Sequence, residues 1–153
     1  MGRFFGILRY MRKDYATFNI GFKILLKKDN KVLFLRMTHK KYFNLLDLPG
    51  GRVDKGEEGT SPEKILNREV QEEIGKGVKY KLGNLAFQNW RHDSLRKIYT
   101  LINVYEARYL FGEIKLSPEH LNYEWIDPKK YKFRKKDFFC EEEYFAFKKY
   151  LKF

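Results

Sequence analysis

The sequence has very little of several features that define whole classes of protein. It contains one cysteine, Cys140, in 153 residues, so no disulfide framework can form within the chain and we expect a reducing, cytoplasmic environment. Its apolar runs, such as Ile24-Leu25-Leu26, are far too short to cross a bilayer. The basic N-terminus also lacks a signal-peptide core. These absences exclude a disulfide-stapled secreted domain and predict a cytoplasmic protein without membrane spans.

Acidic residues are scarce relative to basic ones. The 20 Asp and Glu stand against 32 Lys and Arg, which gives a net charge of +12. Such a charge suits a polyanionic partner, including nucleic acid. The basic residues are dispersed, however, and the codon usage of an AT-rich genome would explain the same excess. The charge therefore keeps RNA as an alternative partner without selecting it.

Apolar residues make up 43% of the chain and aromatic residues 18%, which suits one folded domain with its own core. Alternating apolar residues over 19–28 predict a strand, and Asp29-Asn30 predicts a turn into a returning strand over 32–37. A shorter strand over 45–48 is predicted to end at a glycine turn. The first third of the domain is therefore expected to start a sheet.

The triplet Ser61-Pro62-Glu63 is a typical helix start, with serine as N-cap, proline at the first position and an acid in the first turn. Gly75 is expected to end this helix. The remaining elements are predicted to be long strands over 78–89 and 97–109 with a connecting loop over 90–96, a short strand over 124–126, and an amphipathic helix over 141–151. A mixed sheet with two helices indicates the α/β class.

Three glutamates share one face of the first predicted helix. Glu69, Glu72 and Glu73 are spaced i, i+3, i+4, so their carboxylates project together. Like charges this close destabilise a helix unless a cation lies among them. Oxygen-only ligands suit Mg²⁺ or Mn²⁺, which usually act on phosphates. A solvated acidic face is the alternative, but it does not explain the Pro49-Gly50-Gly51 turn upstream, where a ligand can approach the backbone closely.

Together these residues resemble the Nudix box. The matching positions are Gly51, five residues and Glu57, then Arg68-Glu69-Val70, Glu72-Glu73 and Gly75. Two departures from the family pattern are present. Ten residues rather than seven separate Glu57 from Arg68, which indicates a three-residue insertion near 58–60, and Lys76 replaces an apolar residue. The insertion leaves both Glu57 and Glu58 open as the first glutamate, but the helical spacing is intact.

The resemblance implies a Nudix α/β/α sandwich with a mixed β-sheet over residues 18–153, preceded by an extension over 1–17. It also implies that Glu69 binds metal and activates water, while Arg68 clamps the loop that carries the first glutamate. The residues that the resemblance assigns to Mg²⁺ or Mn²⁺ are Gly50 and Gly51 through a backbone carbonyl, and Glu57, Glu69, Glu72 and Glu73.

Family members also place an auxiliary glutamate on a loop before a tryptophan-containing strand. Here Glu119 is the expected metal ligand or general base, and Glu124 is the alternative. Substrate contacts are expected from Arg52 and Arg91, as phosphate binders, and from Trp90, as a base-stacking platform. For each of these three residues, the alternative is an ordinary solvated or core side chain without a role in substrate binding.

The resemblance implies Mg²⁺-dependent hydrolysis of the pyrophosphate bond in a nucleoside diphosphate linked to a group X. A nucleoside triphosphate, an oxidised nucleotide or a nucleotide sugar is the leading substrate, and a triphosphorylated RNA 5′ end is the alternative. Residues 91–94 lack the proline and tyrosine that mark the ADP-ribose and dinucleoside-polyphosphate subgroups. A non-catalytic nucleotide-binding module is a further alternative, disfavoured because the box glutamates are retained. Residues 1–17 are also candidates for a homodimer interface.

Overall fold

A seven-stranded mixed sheet runs through residues 14–153, the part of the chain that this computed structural model describes. The strands are β1 (Asn19–Lys28), β2 (Lys31–Met37), β3 (Leu46–Asp47), β4 (Gly50–Arg52), β5 (Lys79–Asp93), β6 (Ile98–Phe111) and β7 (His120–Ile126). The main order is β3-β2-β1-β6-β5, with β4 paired to β1 and β7 paired to β2. The β1–β6 pairing is parallel, and the other pairings are antiparallel.

Two helices cover opposite faces of this sheet: α1 (Pro62–Ile74) and α2 (Glu141–Leu151). Successive side chains of a strand point to opposite faces, so the apolar run in β1 serves both layers. Ile24 and Leu26 pack with the α1 cluster, whereas Leu25 packs with the cluster that contains Phe147 of α2. The predicted α/β/α sandwich with a mixed sheet is confirmed.

Helix α1 begins and ends as its sequence predicts. The Ser61 hydroxyl accepts a hydrogen bond from the backbone N–H of Lys64 at 3.4 Å, and Pro62 occupies the first turn. Gly75 follows the last helical residue with φ of 100°, a conformation that favours glycine. The helix is therefore fixed at both ends, and its glutamate face is held at a constant position relative to the sheet.

The prediction of a connecting loop over 90–96 is wrong. Strand β5 continues to Asp93, which pairs with Ile98 of β6, and the remaining turn is tight, with Lys97 at φ of 52°. Strand β5 is a long edge strand, and the register shifts between Leu82 and Phe87 show that its pairing with β6 is irregular there. Trp90 and Arg91 are consequently strand residues with side chains on opposite faces.

Two other segments are more regular than predicted. Gly50 and Gly51 belong to β4, which pairs with β1, although Gly50 retains φ of 129°. Strand β7 begins at His120 rather than Glu124, because it pairs with β2 from Met37 onward. None of the helices in the described residues is long and apolar enough to cross a membrane. Residues 1–13 lie outside the described part, so the roles expected for the extension stay predictions.

Candidate active site

A pocket of about 330 Å³ opens where β4 meets the glutamate face of α1. Acidic and basic groups line it together. Its acidic residues include Asp47, Glu69, Glu73 and Glu119, and its basic residues include Lys23, Arg52, Arg91 and Arg96. The pocket therefore brings together many of the residues that the sequence predicts for the site, along with Lys23 and Asp47, which were not predicted.

Glu69 and Gly51 are in direct contact. A Cβ atom built on Gly51 would lie 2.3–2.5 Å from the carboxylate of Glu69, so only glycine leaves room for this side chain. The Glu69 side chain is 13% exposed, and one of its oxygens is 2.8 Å from Nη1 of Arg68. Burial raises the pKa of Glu69, and the neighbouring Arg68 charge opposes that rise. The contact holds the carboxylate against the glycine backbone.

Glu73 lies deeper than Glu69. Its Oε2 accepts a hydrogen bond from the Gly50 N–H at 2.7 Å, and its Oε1 lies 3.8 Å from Nε2 of the buried His120. Burial raises the pKa of Glu73 to about 8, although Lys23 counteracts this effect. A carboxylate in this environment gains stability from an additional cation nearby.

Arg68 organises the outer part of the site. Its Nε and Nη2 bind the two oxygens of Glu57 at 2.6 and 2.8 Å, and its Nη1 lies 3.2 Å from Glu72. Glu58 instead accepts a hydrogen bond from the Gly56 N–H. The structure thus pairs the arginine with Glu57 despite the insertion. The Glu72 side chain, 60% exposed, remains open to solvent.

The donor chemistry of this region fits a hard divalent cation. Carboxylates of Glu69 and Glu73 and backbone oxygens of the Gly50-Gly51 pair, all hard oxygen donors, lie around the same pocket. Within residues 14–153, no three His, Cys, Asp or Glu side chains already converge on one point. Nη1 of Arg68 lies between two of the box glutamates, 2.8 Å from Glu69 and 3.2 Å from Glu72.

Lys23 and Asp47 form a buried ion pair at the floor of the pocket. Nζ of Lys23 lies 2.9 Å from Oδ2 of Asp47 and also donates to the carbonyls of Leu48 and Gly50, at 3.0 and 2.8 Å. A signal for both residues was present in the sequence. Each is a charged residue within an apolar strand segment, and a buried charge requires a partner.

Arg91 is enclosed by protein groups. Its Nη2 lies 3.2 Å from Asp47 and 2.6 Å from Glu143 of α2, and its guanidinium stacks on the ring of Phe139, 3.8 Å from the centroid. Arg91 thus links the pocket floor to the C-terminal helix. Trp90 lies on the opposite face, 43% exposed and outside the pocket lining. The substrate contacts predicted for Arg91 and Trp90 stay predictions.

The remaining predicted residues lie at the pocket rim or away from it. Arg52 is exposed and lines the pocket. Glu119 also lines the pocket, and its backbone carbonyl accepts a hydrogen bond from the Thr38 N–H at 3.1 Å. Glu124 is instead held by Arg36, with 2.6 Å between Nε and Oε2. Of the two auxiliary candidates, Glu119 is the one that shares the pocket with Glu69 and Glu73.

Together, the sandwich fold and the glutamate helix beside a glycine strand are the arrangement of a hydrolase of phosphoric anhydrides. The NUDIX domain family matches residues 18–146, and the chain belongs to this family. Its members cleave pyrophosphate bonds, generally with divalent metal ions, and this chain is a Nudix pyrophosphohydrolase.

Several solved structures share the fold. The MutT NUDIX hydrolase from Burkholderia pseudomallei has 21% identity and a TM-score of 0.65, with 78% of this chain and 90% of that chain covered. A MutT protein from Methanosarcina mazei Go1 has 26% identity and a TM-score of 0.61, covering 77% and 83%. A UDP-X diphosphatase has 17% identity and a TM-score of 0.63, covering 97% and 70%. No curated protein matches the chain at a significant level.

Proposed function

We propose that this protein hydrolyses the pyrophosphate bond of a small nucleoside diphosphate linked to a group X, with Mg²⁺ or Mn²⁺. A nucleoside triphosphate, an oxidised nucleotide or a nucleotide sugar is the expected substrate. The observation that carries this proposal is the shared pocket, in which Glu69, Glu73 and Glu119 face Arg52 and Arg96. Acidic groups that suit a divalent ion and basic groups that suit phosphate oxygens are thereby placed side by side.

The glutamates and the glycine strand would hold the ion. Glu69, Glu73 and a carbonyl of the Gly50-Gly51 pair supply hard oxygen donors at one wall of the pocket, and Glu72 follows on the same face of α1 at the solvent-exposed side. When bound, the ion neutralises phosphate charge and acidifies water. Glu57, which the sequence predicts as a further metal ligand, is already paired with Arg68, so we assign it to holding the loop and the arginine in place.

Three residues of the chain have proposed roles in the reaction besides metal binding. Glu69, packed on Gly51, is positioned to accept a proton from the attacking water. Glu119 approaches the same pocket from the segment before β7 and is the proposed auxiliary base or ligand. Arg52 at the rim offers a guanidinium to the phosphate chain. The buried His120 lies against Glu73, with 3.8 Å between Nε2 and Oε1, and helps to position that carboxylate.

The test is product analysis on a mixed panel. Purified protein with Mg²⁺, and separately with Mn²⁺, is incubated with nucleoside triphosphates, oxidised nucleotides, nucleotide sugars, dinucleoside polyphosphates and triphosphorylated RNA. Cleavage of one class should be lost in Glu69→Gln and Glu72→Gln and kept in Glu63→Gln. Glu63 is a matched control because it is an exposed glutamate in the first turn of the same helix. The absence of cleavage of every panel member with either ion would contradict the proposal.

An RNA 5′ end is the second candidate, favoured by one surface feature. His92 lines the pocket and stacks on Tyr99 at 4.6 Å between centroids, Tyr99 meets Trp90 at 6.2 Å, and Trp90 meets Phe18 at 5.1 Å. We call these four residues the aromatic row. Phe18, Trp90 and Tyr99 are 42%, 43% and 55% exposed. Exposed aromatic rings leading away from a phosphate pocket suit stacking by successive bases.

Two measurements distinguish the RNA substrate from a small nucleotide substrate. If RNA is the substrate, Trp90→Ala should weaken hydrolysis of triphosphorylated RNA about tenfold, and activity should fall steeply with salt. Phe111→Ala is the control, since Phe111 is an exposed aromatic at the far end of the neighbouring strand β6. Turnover of free nucleotides that is insensitive to salt, without cleavage of the RNA, would exclude this candidate. The expected cytoplasmic location and homodimer stay predictions.

A further inference from the structure

Lys23 places a fixed positive charge beside the glycine strand. Its ammonium group donates to three oxygens, Oδ2 of Asp47 and the carbonyls of Leu48 and Gly50, at 2.8–3.0 Å. The side chain is only 7% exposed. An ammonium group has three donors, so these acceptors satisfy all of them and hold the group in one position.

The position of this charge coincides with part of the expected metal environment. The Gly50 carbonyl that receives the ammonium is one of the two carbonyls expected to ligate a divalent ion. The N–H of the same residue binds Glu73 at 2.7 Å. Glu69 lies against Gly51 of the same strand. The Lys23 charge is therefore placed beside the strand that contacts both carboxylates of the acidic wall.

An ammonium and a divalent ion compete for one carbonyl oxygen. Both would lie within about 4 Å of each other if they shared it, and at that distance like charges in a partly buried site repel strongly. The ammonium is tethered to β1 and already bonded to Asp47, so the incoming ion must either displace it from the carbonyl or bind elsewhere. The carboxylates of Glu69 and Glu73, on the wall opposite this ammonium, are the remaining hard donors for that ion.

We infer that Lys23 is a resident cation of the active site, a positioning residue that holds the Gly50 carbonyl and reduces the affinity for divalent ions. The inference rests on the proposed use of a divalent ion by this site. In this arrangement the ion is bound by the glutamates, and it reaches the Gly50 carbonyl only by displacing the ammonium group. Lys23 keeps the glycine strand in place when the ion has left.

The test measures metal binding directly. Isothermal titration of the full-length protein with Mn²⁺ and with Mg²⁺ should show at least about tenfold tighter binding in Lys23→Met than in the natural protein. The melting temperature without metal should fall, because the Leu48 and Gly50 carbonyls lose their donor, and added Mn²⁺ should raise it further in the variant than in the natural protein. A purely structural lysine would lower both stability and metal affinity.

Two further variants keep the test decisive. Lys27→Met removes a lysine from the same strand that pairs with Glu106 on a half-exposed surface, and it should leave metal affinity unchanged. If Lys23→Met does not fold, the double variant Lys23→Met with Asp47→Asn replaces it. This double variant removes both buried charges and leaves Arg91 paired with Glu143. It should still bind Mn²⁺ more tightly than the natural protein. Affinity equal to or weaker than that of the natural protein, whether or not any nucleotide is cleaved, would overturn the inference.

Discussion

Arg68 and Glu57 are joined by two parallel hydrogen bonds, from Nε to Oε1 at 2.6 Å and from Nη2 to Oε2 at 2.8 Å. The planar guanidinium matches the carboxylate in a way that lysine cannot reproduce. The pair closes the segment between β4 and α1 in spite of its three extra residues. Arg68 also reaches Glu69, so the loop and the proposed catalytic carboxylate share one anchor.

Arg68→Lys should therefore lower the rate of catalysis more than it lowers the stability of the fold. The lysine side chain would keep the positive charge but could not form both hydrogen bonds to the Glu57 carboxylate. Glu69 should shift as a result, and we expect kcat to fall about tenfold. Steady-state kinetics on the substrate that the panel identifies would measure this.

A distant pair provides the control for that substitution. Arg134 forms a comparable local pair with Asp137, 2.9 Å between Nη2 and Oδ1, away from the pocket. Arg134→Lys should leave kcat unchanged. Equal losses in the two variants would mean that the effect is general destabilisation rather than misplacement of Glu69.

Gly51→Ala should abolish most activity while the chain still folds. The new methyl group would lie 2.3 Å from the Glu69 carboxylate, which must then move away from the glycine strand. We expect a loss of about 100-fold in kcat/KM. Gly77→Ala is the matched control, because its methyl group would meet its nearest neighbour at an ordinary 3.8 Å. Full activity of Gly51→Ala would contradict the close placement of Glu69.

Glu119 and Glu124 have different surroundings in the structure, and their glutamine variants should differ accordingly. Glu119→Gln removes a charge that lines the pocket, so kcat should fall by about 100-fold, as for loss of a general base or ligand. Glu124→Gln weakens a pair with Arg36 and should lower the melting temperature slightly, with kcat retained. The opposite ranking in kinetics would assign the auxiliary role to Glu124.

Asp47 should make the protein sensitive to acid. Burial alone would raise the pKa of Asp47, but Lys23 and Arg91 outweigh burial and lower it to about 2, from 3.8. A carboxyl group with a depressed folded-state pKa stabilises the protein above its unfolded value and loses that contribution as pH falls toward the folded value. The window is therefore about pH 4 to 2, and the contribution is about 2 kcal/mol.

Urea unfolding of the natural protein and Asp47→Asn across that range measures this contribution. The variant should be less stable near neutral pH, because Lys23 and Arg91 lose their shared partner, and the difference should shrink toward pH 2. Asp29→Asn, in the exposed β1–β2 turn, should follow the natural protein throughout, since asparagine tolerates its φ of 54°. A difference that stays constant with pH would argue against the ion pair.

Local signals in the sequence predicted the elements that frame the site. The alternation over Asn19–Lys28 and the Ser61-Pro62 cap led to β1 and to the start of α1 as found, and the apolar spacing over Glu141–Leu151 led to α2. These patterns depend on neighbouring residues only. The i, i+3, i+4 glutamates also followed directly from helical geometry.

Features that depend on partners distant in sequence were missed. The extension of β5 to Asp93 requires its long pairing with β6, which no local pattern encodes. Glycine composition pointed to a turn at Gly50-Gly51, but β1 draws the pair into a strand. The linkage from Lys23 through Asp47 and Arg91 to Glu143 joins four separate elements, so its members could be suspected only as charges in apolar surroundings.

The parallel pairing of β1 with β6 also sets the order in which the protein can assemble during synthesis. Asn19 pairs with Thr100 and Lys27 with Arg108, so β1 meets this neighbour only after the intervening strands and helix α1 have been synthesised. Until then one edge of a largely apolar strand stays open, and such edges invite aggregation. Closing so long a segment is entropically costly and slows folding. The strand that carries Lys23 is thus made before these elements but gains its full set of neighbours only after them.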